Sequence, residues 1–537
     1  MNVLAILSVT IFSIFSVVVM SYVAMATPLG PWIEPTVVLC TILLFKVLPA
    51  RWINHQAQSG TRLAILIVAG SSVGGIMATA MGFAFPALFF LDQGLFSSWM
   101  SDPLYFWLVS SSLTFVGSSF GLWAAHVLED QMLVQQRLLF PIGVLAYRMI
   151  LAQNQWRKAK ELLVGFGGTL IFCFGQSLKF IPRYLSLIPA QNFGLLQIPW
   201  VRFDFFPMYW AIGFVSGHMV AIPLLVGTFA KIFLVDPMNV IFFSGVSAFD
   251  FMLAFGSGLI VMGTLVGVLD TPRNFFDTAH CIWTKCFVSA DTCEVGVGAR
   301  QFANYFSIMM AIPILIFFLY FNMPAWVLIY LLVFTLICVY QVTYIAGKIG
   351  LAQLGRFATF VMLPAIFLFP LNLVNIVFIA VFVELACGVA ADVLFGLKLA
   401  QLGGVSLATV KKYQFLGILV SSVAVGIVFW ALIHKFGLGS EELFAQRAQT
   451  RALLVNVTHF NPLVVGLGVL FAYVLKQFSI NPILVLSGLL MPINVSLSLV
   501  TGGLYALWSS HKEEQYPFWS GVFASHSLWM VLRAFGV

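Results

Sequence analysis

The sequence predicts an all-α polytopic membrane protein of about 16 transmembrane helices in two repeated halves. Of its 537 residues, 61% are apolar and only 8% are charged, whereas a soluble domain carries about 25% charged residues. The apolar residues form stretches of helix length, and a spanning helix takes about 20 residues. This composition excludes a cytosolic enzyme, a secreted disulfide scaffold and a disordered chain.

The charge balance points to a membrane surface rather than to nucleic acid. The chain has 26 Lys+Arg and 19 Asp+Glu, a formal net charge of +7, but no basic run with interleaved aromatic residues. Basic loops set membrane topology and contact anionic lipid. Lys46, Arg51 and Arg62 predict a cytoplasmic amino terminus. Residues 3–25 are predicted to be the first span, because they lack a charged leader region and a cleavage site.

An internal repeat predicts the domain organisation. At an offset of 275 residues, apolar, Gly and Pro positions coincide: Pro207 with Pro482, Gly213 with Gly488, Val220 with Val495, Leu224 with Leu499 and Gly227 with Gly502. We expect a first membrane repeat at 1–268, a polar cysteine-containing loop with a connecting helix at 269–324, and a second membrane repeat at 325–537. Such folds usually bind substrate between repeats near the membrane midplane.

The repeat continues towards the amino terminus of each half. Trp123 coincides with Trp430 at an offset of 307, and the segment 22–24 coincides with 344–346 at an offset of 322. The falling offsets are expected of one duplication followed by loop shortening. The sequence leaves open whether the two repeats are parallel or inverted.

Two short segments and one loop depart from the pattern of simple spans. Segments 137–152 and 443–457 are interrupted by Arg or Pro and are predicted to be broken or re-entrant helices. Cys281, Cys286 and Cys293 lie in the polar loop and could form a disulfide in an oxidising space. Their spacing fits no standard metal motif, so no metal or other cofactor is predicted.

Carboxylates inside predicted spans are candidate functional groups, because buried ionisable residues are costly in a membrane. Glu384 and Asp392 lie eight residues apart, which puts them on roughly one face of a helix. They are candidates for binding and releasing protons. The alternative is that one of them pairs with Lys398 or caps a helix. Glu34, at the start of the second span, is either a transport residue or an amino-terminal cap.

Two histidines and two helix breaks complete the candidate site. His218 and His526 lie in predicted spans and could change protonation, although a hydrogen bond to a neighbouring helix is the commoner role. Helix breaks are expected at Phe140–Pro141 and near Arg447. Helix ends at such breaks present N–H groups that can bind a substrate carboxylate.

The segment around the first break resembles a motif of the oligopeptide transporter superfamily, which includes peptide and yellow-stripe-like metal-chelate transporters. Phe140, Pro141 and Gly143 match the family's Leu-x-Phe-Pro-Ser-Gly-Thr-Ala stretch. Ile142 replaces its serine, and Val144 replaces its threonine. The departure at Ile142, with those at Gly396 and His526 in the two regions described next, leaves the substrate class open.

Two further regions carry the same resemblance. Asp392 and Lys398 match a family stretch of Asp-Leu-x-x-Asp-Leu-Lys-Thr-Gly, and segments 481–492 and 520–528 are similar to the last two family helices. His526 stands where many family members have glutamate. The spacing pattern of the family extends over most of the chain, whereas exact residues match only in short patches.

The resemblance implies secondary transport driven by a cation gradient, usually of protons. We therefore expect a symporter, not an enzyme, that imports a small peptide or a metal chelate by alternating access, with protons and the lipid bilayer as its other partners. The short loops suggest a bacterial inner membrane protein. The sequence leaves open a homo-oligomer. The alternatives are a passive solute channel and an intramembrane lipid-modifying enzyme, for which Glu129 and Asp130 are the candidate carboxylates.

Overall fold

The computed structural model describes most of the chain. The described residues are 3–27, 33–47, 57–138, 140–151, 156–188, 191–193, 196–198, 201–243, 245, 248–269, 311–349, 354–455, 461–490, 492–509 and 512–534. Cys281, Cys286 and Cys293, and the disulfide expected of them, lie outside these residues.

The chain forms two compact units. Unit 1 contains residues 1–24, 32–154 and 268–434, and unit 2 contains residues 25–31, 155–267 and 435–537. Each predicted half therefore contributes its first part to unit 1 and its last part to unit 2. The units do not coincide with the predicted halves, whose boundaries stay a prediction.

Unit 1 consists of apolar helices from both halves of the sequence. They are α1 (Val3–Ala26), α2 (Glu34–Val47), α3 (Ala57–Ala84), α4 (Ala87–Leu91), α5 (Gln93–Ser101), α6 (Pro103–Glu129), α7 (Pro141–Leu151), α13 (Ala311–Tyr320), α14 (Ala325–Ile349), α15 (Leu354–Leu368), α16 (Leu373–Leu402) and α17 (Leu407–Phe436). Side chains cap several of them: Asp102 accepts backbone N–H bonds at the start of α6, and Asn372 does so at the start of α16. These caps satisfy N–H groups that have no partner inside the helix.

Helix α16 is the core of unit 1. Nearly all of its side chains are buried, and α3, α6, α14 and α15 pack against it. A helix that is apolar all round is expected in such a surrounded position. Gly121 of α6 lies against the backbone of Ala386, so these two helices approach closely because one contact residue has no side chain.

Unit 2 combines helices with two short hairpins. Its helices are α8 (Trp156–Ser177), α9 (Pro207–Ser216), α10 (His218–Ala230), α11 (Asp236–Phe242), α12 (Ala248–Leu269), α18 (Gln446–Val455), α19 (Pro462–Gln477), α20 (Pro482–Leu490), α21 (Ile493–Trp508) and α22 (Lys512–Ala534). Its strands are β1 (Tyr184–Ile188), β2 (Gln191–Phe193), β3 (Leu196–Ile198) and β4 (Val201–Asp204). β1 pairs antiparallel with β4, and β2 pairs antiparallel with β3. The sequence had predicted no strands.

Glycines form reciprocal contacts in unit 2. Helix α9 packs on α21, and α10 packs on α20. Gly213 of α9 faces the carbonyl oxygen of Leu499, and Gly488 of α20 faces the carbonyl oxygen of Leu224. Gly488 lies 275 residues after Gly213, and Leu499 lies 275 residues after Leu224. The same offset relates Gly227, which faces Val485, to Gly502, which faces Trp210.

The fold class predicted from composition is confirmed, with the two hairpins as an addition. Seven helices among the described residues are long and apolar enough to cross a membrane, and shorter apolar helices accompany them. The number of about 16 crossings stays a prediction. Helices α7 and α18 occupy the segments 137–152 and 443–457. Their 11 and 10 residues are fewer than the roughly 20 needed to span a bilayer, as expected of broken helices.

The reciprocal glycine contacts predict a position-specific loss of stability. A Cβ added by Gly488→Ala would collide with the backbone of Leu224 and Thr228, and such overpacking destabilises by about 1–3 kcal/mol. Gly466→Ala is the matched control, because no heavy atom lies within 4 Å of its added Cβ. We expect a lower melting temperature in detergent for the first variant alone. Equal melting temperatures for both variants would contradict the close crossing.

Candidate functional site

Two buried carboxylates and a serine meet inside unit 1. Glu34 is the first residue of α2, Ser72 lies in α3 and Asp392 lies in α16. Glu34 is 4% exposed and Asp392 is 1% exposed, and the two carboxyl groups lie beside each other. The hydroxyl of Ser72 donates a hydrogen bond of 3.0 Å to Oδ2 of Asp392. We call Glu34, Ser72 and Asp392 the carboxylate cluster.

The carboxylate cluster has more acceptors than donors. Among the described residues, both carboxylate oxygens of Glu34 and the Oδ1 of Asp392 lack a hydrogen-bond partner. Two adjacent buried carboxylates cannot both ionise without strong repulsion and a loss of solvation. A proton between them supplies the missing donor and removes one charge. The cluster is therefore able to take up and release a proton.

Sequence spacing had grouped Asp392 with a different carboxylate. Glu384 is fully buried on the same helix and lies near Cys387, whereas Asp392 faces Glu34 of α2. Lys398 donates a 3.3 Å hydrogen bond to Gln401, and within the described part of the chain it forms no ion pair with a carboxylate. The sequence identified Glu34 and Asp392 separately, but no local pattern could join residues so far apart along the chain.

Each of the two short helices follows a strained residue. Phe140 has a φ of 47° and Ala445 has a φ of 49°, a backbone conformation that non-glycine residues rarely adopt. The N–H of Phe140 donates a 2.8 Å bond to the carbonyl of Gly347, and the N–H of Ala445 donates a 2.7 Å bond to the carbonyl of Met25. Gly347 and Met25 are related by the repeat offset of 322. We call Phe140 and Ala445 the hinge residues.

Helix α7 lies directly against α16. It starts at Pro141, and the ring of Phe140 meets that of Phe395 edge-to-face at 5.8 Å. A side chain at Gly143 would collide with the carbonyl oxygen of Phe395, so glycine permits this approach. The predicted motif residues therefore place the start of α7 against the helix that carries Asp392.

The start of α18 is basic. Arg447 is partly exposed, and Arg451 is buried one turn later. Sequence reasoning proposed Arg447 but missed Arg451, which shares its helix face because it lies four residues on. Both guanidinium groups could bind a carboxylate.

A cavity of about 200 Å³ lies within unit 2. Its lining includes Cys173, Gln176, Ser177, Arg183, Tyr184, Arg202, Asp204, Phe206, Tyr209, Glu441, Glu442, Val495, His526 and Trp529. The ring of His526 stacks on Phe206 with centroids 5.2 Å apart, and its Nδ1 accepts a 3.4 Å bond from the N–H of Met208. His526 thus belongs to this cavity and not to the carboxylate cluster. His218 is the first residue of α10 and follows Gly217, whose φ is 69°.

Charged side chains connect β4 to the loop before α18. Arg202 forms an ion pair with Glu441 and lies 3.9 Å from Asp204. Asn494 of α21 donates a hydrogen bond to Asp204. Burial raises the pKa of Asp204, while the Asn494 hydrogen bond and the Arg202 charge oppose that rise. No sequence pattern indicates this cluster, because its members come from separate segments.

Two further observations concern metal binding and the lipid-modifying enzyme alternative. Among them, no group of three His, Cys, Asp or Glu side chains could hold a metal ion. Glu129 forms a 2.6 Å ion pair with Lys411, and exposed Asp130 accepts a 3.3 Å bond from Gln135. Both members of the candidate enzymatic pair therefore have structural contacts.

These features define a polytopic membrane protein with charged groups enclosed among its helices. Residues 296–526 match the family model for the OPT oligopeptide transporter protein, which confirms the resemblance to the oligopeptide transporter superfamily and supports a transporter of the oligopeptide type. The match covers less than half of the chain. It includes Asp392, Lys398 and His526 but not Glu34 or Phe140. A search among curated proteins found no match to the chain.

The Asp204 contacts predict a pH-dependent stability. Because the folded-state pKa of Asp204 is raised, its contribution to stability is present below the unfolded-state pKa and is lost as pH rises through the folded-state pKa. Asn494→Ala removes a donor to the ionised carboxylate, which enlarges that loss. We expect the melting temperature of Asn494→Ala to fall further below that of the wild type as pH rises through the raised folded-state pKa of Asp204.

The control for this measurement removes the titrating group. In Asp204→Asn with Asn494→Ala, the melting-temperature difference from Asp204→Asn alone should not change with pH. A pH-dependent difference that persists in this background would assign the effect to another residue.

Proposed function

We propose that the protein is a proton-coupled secondary transporter that imports a small peptide or a metal chelate by alternating access. The family match supports a transporter, and the single observation that supports proton coupling is the buried pair of Glu34 and Asp392. We further propose that it lies in a bacterial inner membrane with a cytoplasmic amino terminus, in accordance with Lys46, Arg51 and Arg62.

Coupling follows from the energetics of a buried charge. An ionised carboxylate inside the membrane region is disfavoured by at least about 2.5 kcal/mol. Protonation removes this penalty, so the stability of a conformation that buries the carboxylate cluster depends on proton occupancy. If solute binding and proton binding favour the same conformation, each increases the affinity of the other. A proton gradient can then drive solute accumulation.

The two short helices supply candidate groups for the solute. The first turns of α7 and α18 present backbone N–H groups, which favour a substrate carboxylate. Arg447 and Arg451 add positive charge to α18. Both a peptide carboxyl terminus and a carboxylate-rich metal chelate carry the negative charge that such groups bind. The metal in a chelate would be part of the substrate and not a resident cofactor.

The passive channel and the lipid-modifying enzyme remain the competing functions. A channel would conduct solute down its gradient without proton dependence, and an enzyme would convert a labelled lipid into product. The ion pair of Glu129 with Lys411 disfavours a catalytic role for Glu129, because a general acid or base must be available to its substrate.

Neutralising the carboxylate cluster should uncouple transport. In proteoliposomes with a proton gradient, we expect Asp392→Asn to lower accumulation of the transported probe by at least about tenfold, equivalent to about 1.4 kcal/mol. Exchange of labelled for unlabelled probe should persist, because it needs solute binding but no net proton movement. The probes are a labelled tripeptide pool and iron(III) and nickel(II) chelates.

Two controls make the measurement decisive. Glu514→Gln removes an exposed carboxylate of α22 and should accumulate probe as the wild type does. Dissipating the gradient should abolish accumulation by the wild type. Accumulation that survives without any ion gradient, or that Asp392→Asn leaves intact, would reject proton coupling at this cluster.

The probe that the protein recognises should be identified first by thermal shift. A ligand that binds only the native state raises the melting temperature, and at a concentration of 100 Kd it adds about 2.7 kcal/mol of stability. We expect one probe class to stabilise the wild type and to stabilise Arg451→Met less. Equal stabilisation of the two proteins would exclude Arg451 from substrate binding.

A further inference from the structure

Helices α3 and α16 can be aligned in register along the sequence. At an offset of 316 residues, Ala64 coincides with Ala380 and Val73 coincides with Val389. Four small residues between 70 and 75 also coincide with small residues between 386 and 391. Helices α2 and α15 precede them in the same order, and Glu34 lies in α2 and Leu354 in α15.

This register gives each member of the carboxylate cluster a counterpart. At this offset Ser72 corresponds to Gly388 and Asp392 to Ile76, and at an offset of 320 Glu34 corresponds to Leu354. Glu384, the other buried carboxylate of α16, corresponds to Val68. Every counterpart of a carboxylate is therefore apolar.

The three counterparts also lie close together. A Cβ at Gly388 would lie 2.8 Å from a side-chain carbon of Ile76 and 3.3 Å from one of Leu354. Ile76 is 8% exposed and Leu354 is 5% exposed. Gly388, Ile76 and Leu354 thus lie together at the junction of three helices, as Ser72, Asp392 and Glu34 do, but with hydrocarbon in place of polar groups. We call them the apolar copy.

We propose that the duplicated fold keeps one shared-proton site, the carboxylate cluster, and that the apolar copy is its silent counterpart. The site is built and not merely acidic, because Glu34 is buried with both oxygens lacking a hydrogen-bond partner among the described residues. Its coupling role rests on the proposed function, whereas the existence and number of shared-proton sites do not.

Ser72 is the positioning residue of the site. Its hydroxyl donates to Oδ2 of Asp392, while Oδ1 has no hydrogen-bond partner among the described residues. The apolar copy has glycine at this position and offers no such donor. Like charges on two adjacent buried carboxyl groups oppose double ionisation, so the pair exchanges a single proton with water in each direction of the cycle.

Infrared difference spectroscopy between acid and alkaline pH tests the site without any substrate. The purified protein in lipid should show a carboxylic C=O band of a buried acid. We expect Glu34→Gln and Asp392→Asn each to remove the same band, because both residues share one proton. Ser72→Ala should shift the band, since it removes the hydrogen bond to Asp392. Glu384→Gln and the exposed control Glu514→Gln should leave it unchanged.

Two outcomes for this band would contradict the proposal. If it survives both Glu34→Gln and Asp392→Asn, or disappears in Glu384→Gln, the carboxylate cluster is not the shared-proton site. If these results are as expected but no proton gradient drives uptake of any probe, the proposed function fails while the site remains. The two failures are therefore distinguishable.

Converting the apolar copy tests its equivalence. Ile76→Asp with Gly388→Ser introduces a carboxylate and the hydroxyl that would position it, and Leu354→Glu completes the pair. We expect a second buried-acid band in this variant, with circular dichroism to establish that it folds. A folded variant without a second band overturns the assignment of a silent copy. Should the variant not fold, the wild-type coupling ratio decides: one proton per probe molecule supports the proposal, and two overturn it.

Discussion

The structure depends on the high energy of an ionised group that has no water around it. Helix α16 is surrounded by other helices and carries Asp392 and Glu384 in buried positions. Burial is what turns two ordinary carboxylates into a site, because in water Glu34 and Asp392 would both ionise without penalty. Close packing excludes water, and glycines such as Gly121 and Gly143 permit that packing. The chemistry of the site is thus a consequence of how tightly the helices approach.

The same lack of water governs the backbone. A polar main-chain group inside a membrane needs a protein partner, and a helix break frees several such groups. The two hinge residues satisfy theirs through carbonyls at equivalent positions of α14 and α1. Each bond joins a short helix of one predicted half to the first helix of the other half. The strained backbone at Phe140 and Ala445 is retained because these hydrogen bonds hold both residues in place.

Composition and periodicity were sufficient to predict the fold class and the two short helices, and they singled out Glu34 and Asp392 as separate candidates. Whether a whole helix is buried depends mainly on the residues of that helix. A low fraction of charged residues and long apolar stretches therefore predict it from the sequence. The pairing of Glu34 with Asp392, and of Arg202 with Glu441, could not be predicted in this way. Such pairs depend on which helices become neighbours, and helix neighbours are chosen by packing that apolar sequences hardly distinguish. The hairpins were missed because short strands between polar ends carry a weak pattern.

On the proposed duplication, the contrast between packing and charge accounts for helix contacts kept in both copies and buried carboxylates kept in one. A glycine at a helix crossing is required in both halves, since Gly213 and Gly488 each face a backbone that would collide with a side chain. A second buried acid has no such steric requirement, and it disfavours the folded state unless it is paired. Replacing it with Ile76 and Leu354 gains apolar burial at the same position. Symmetry therefore persists where the backbone enforces it and disappears where a charge would lower stability.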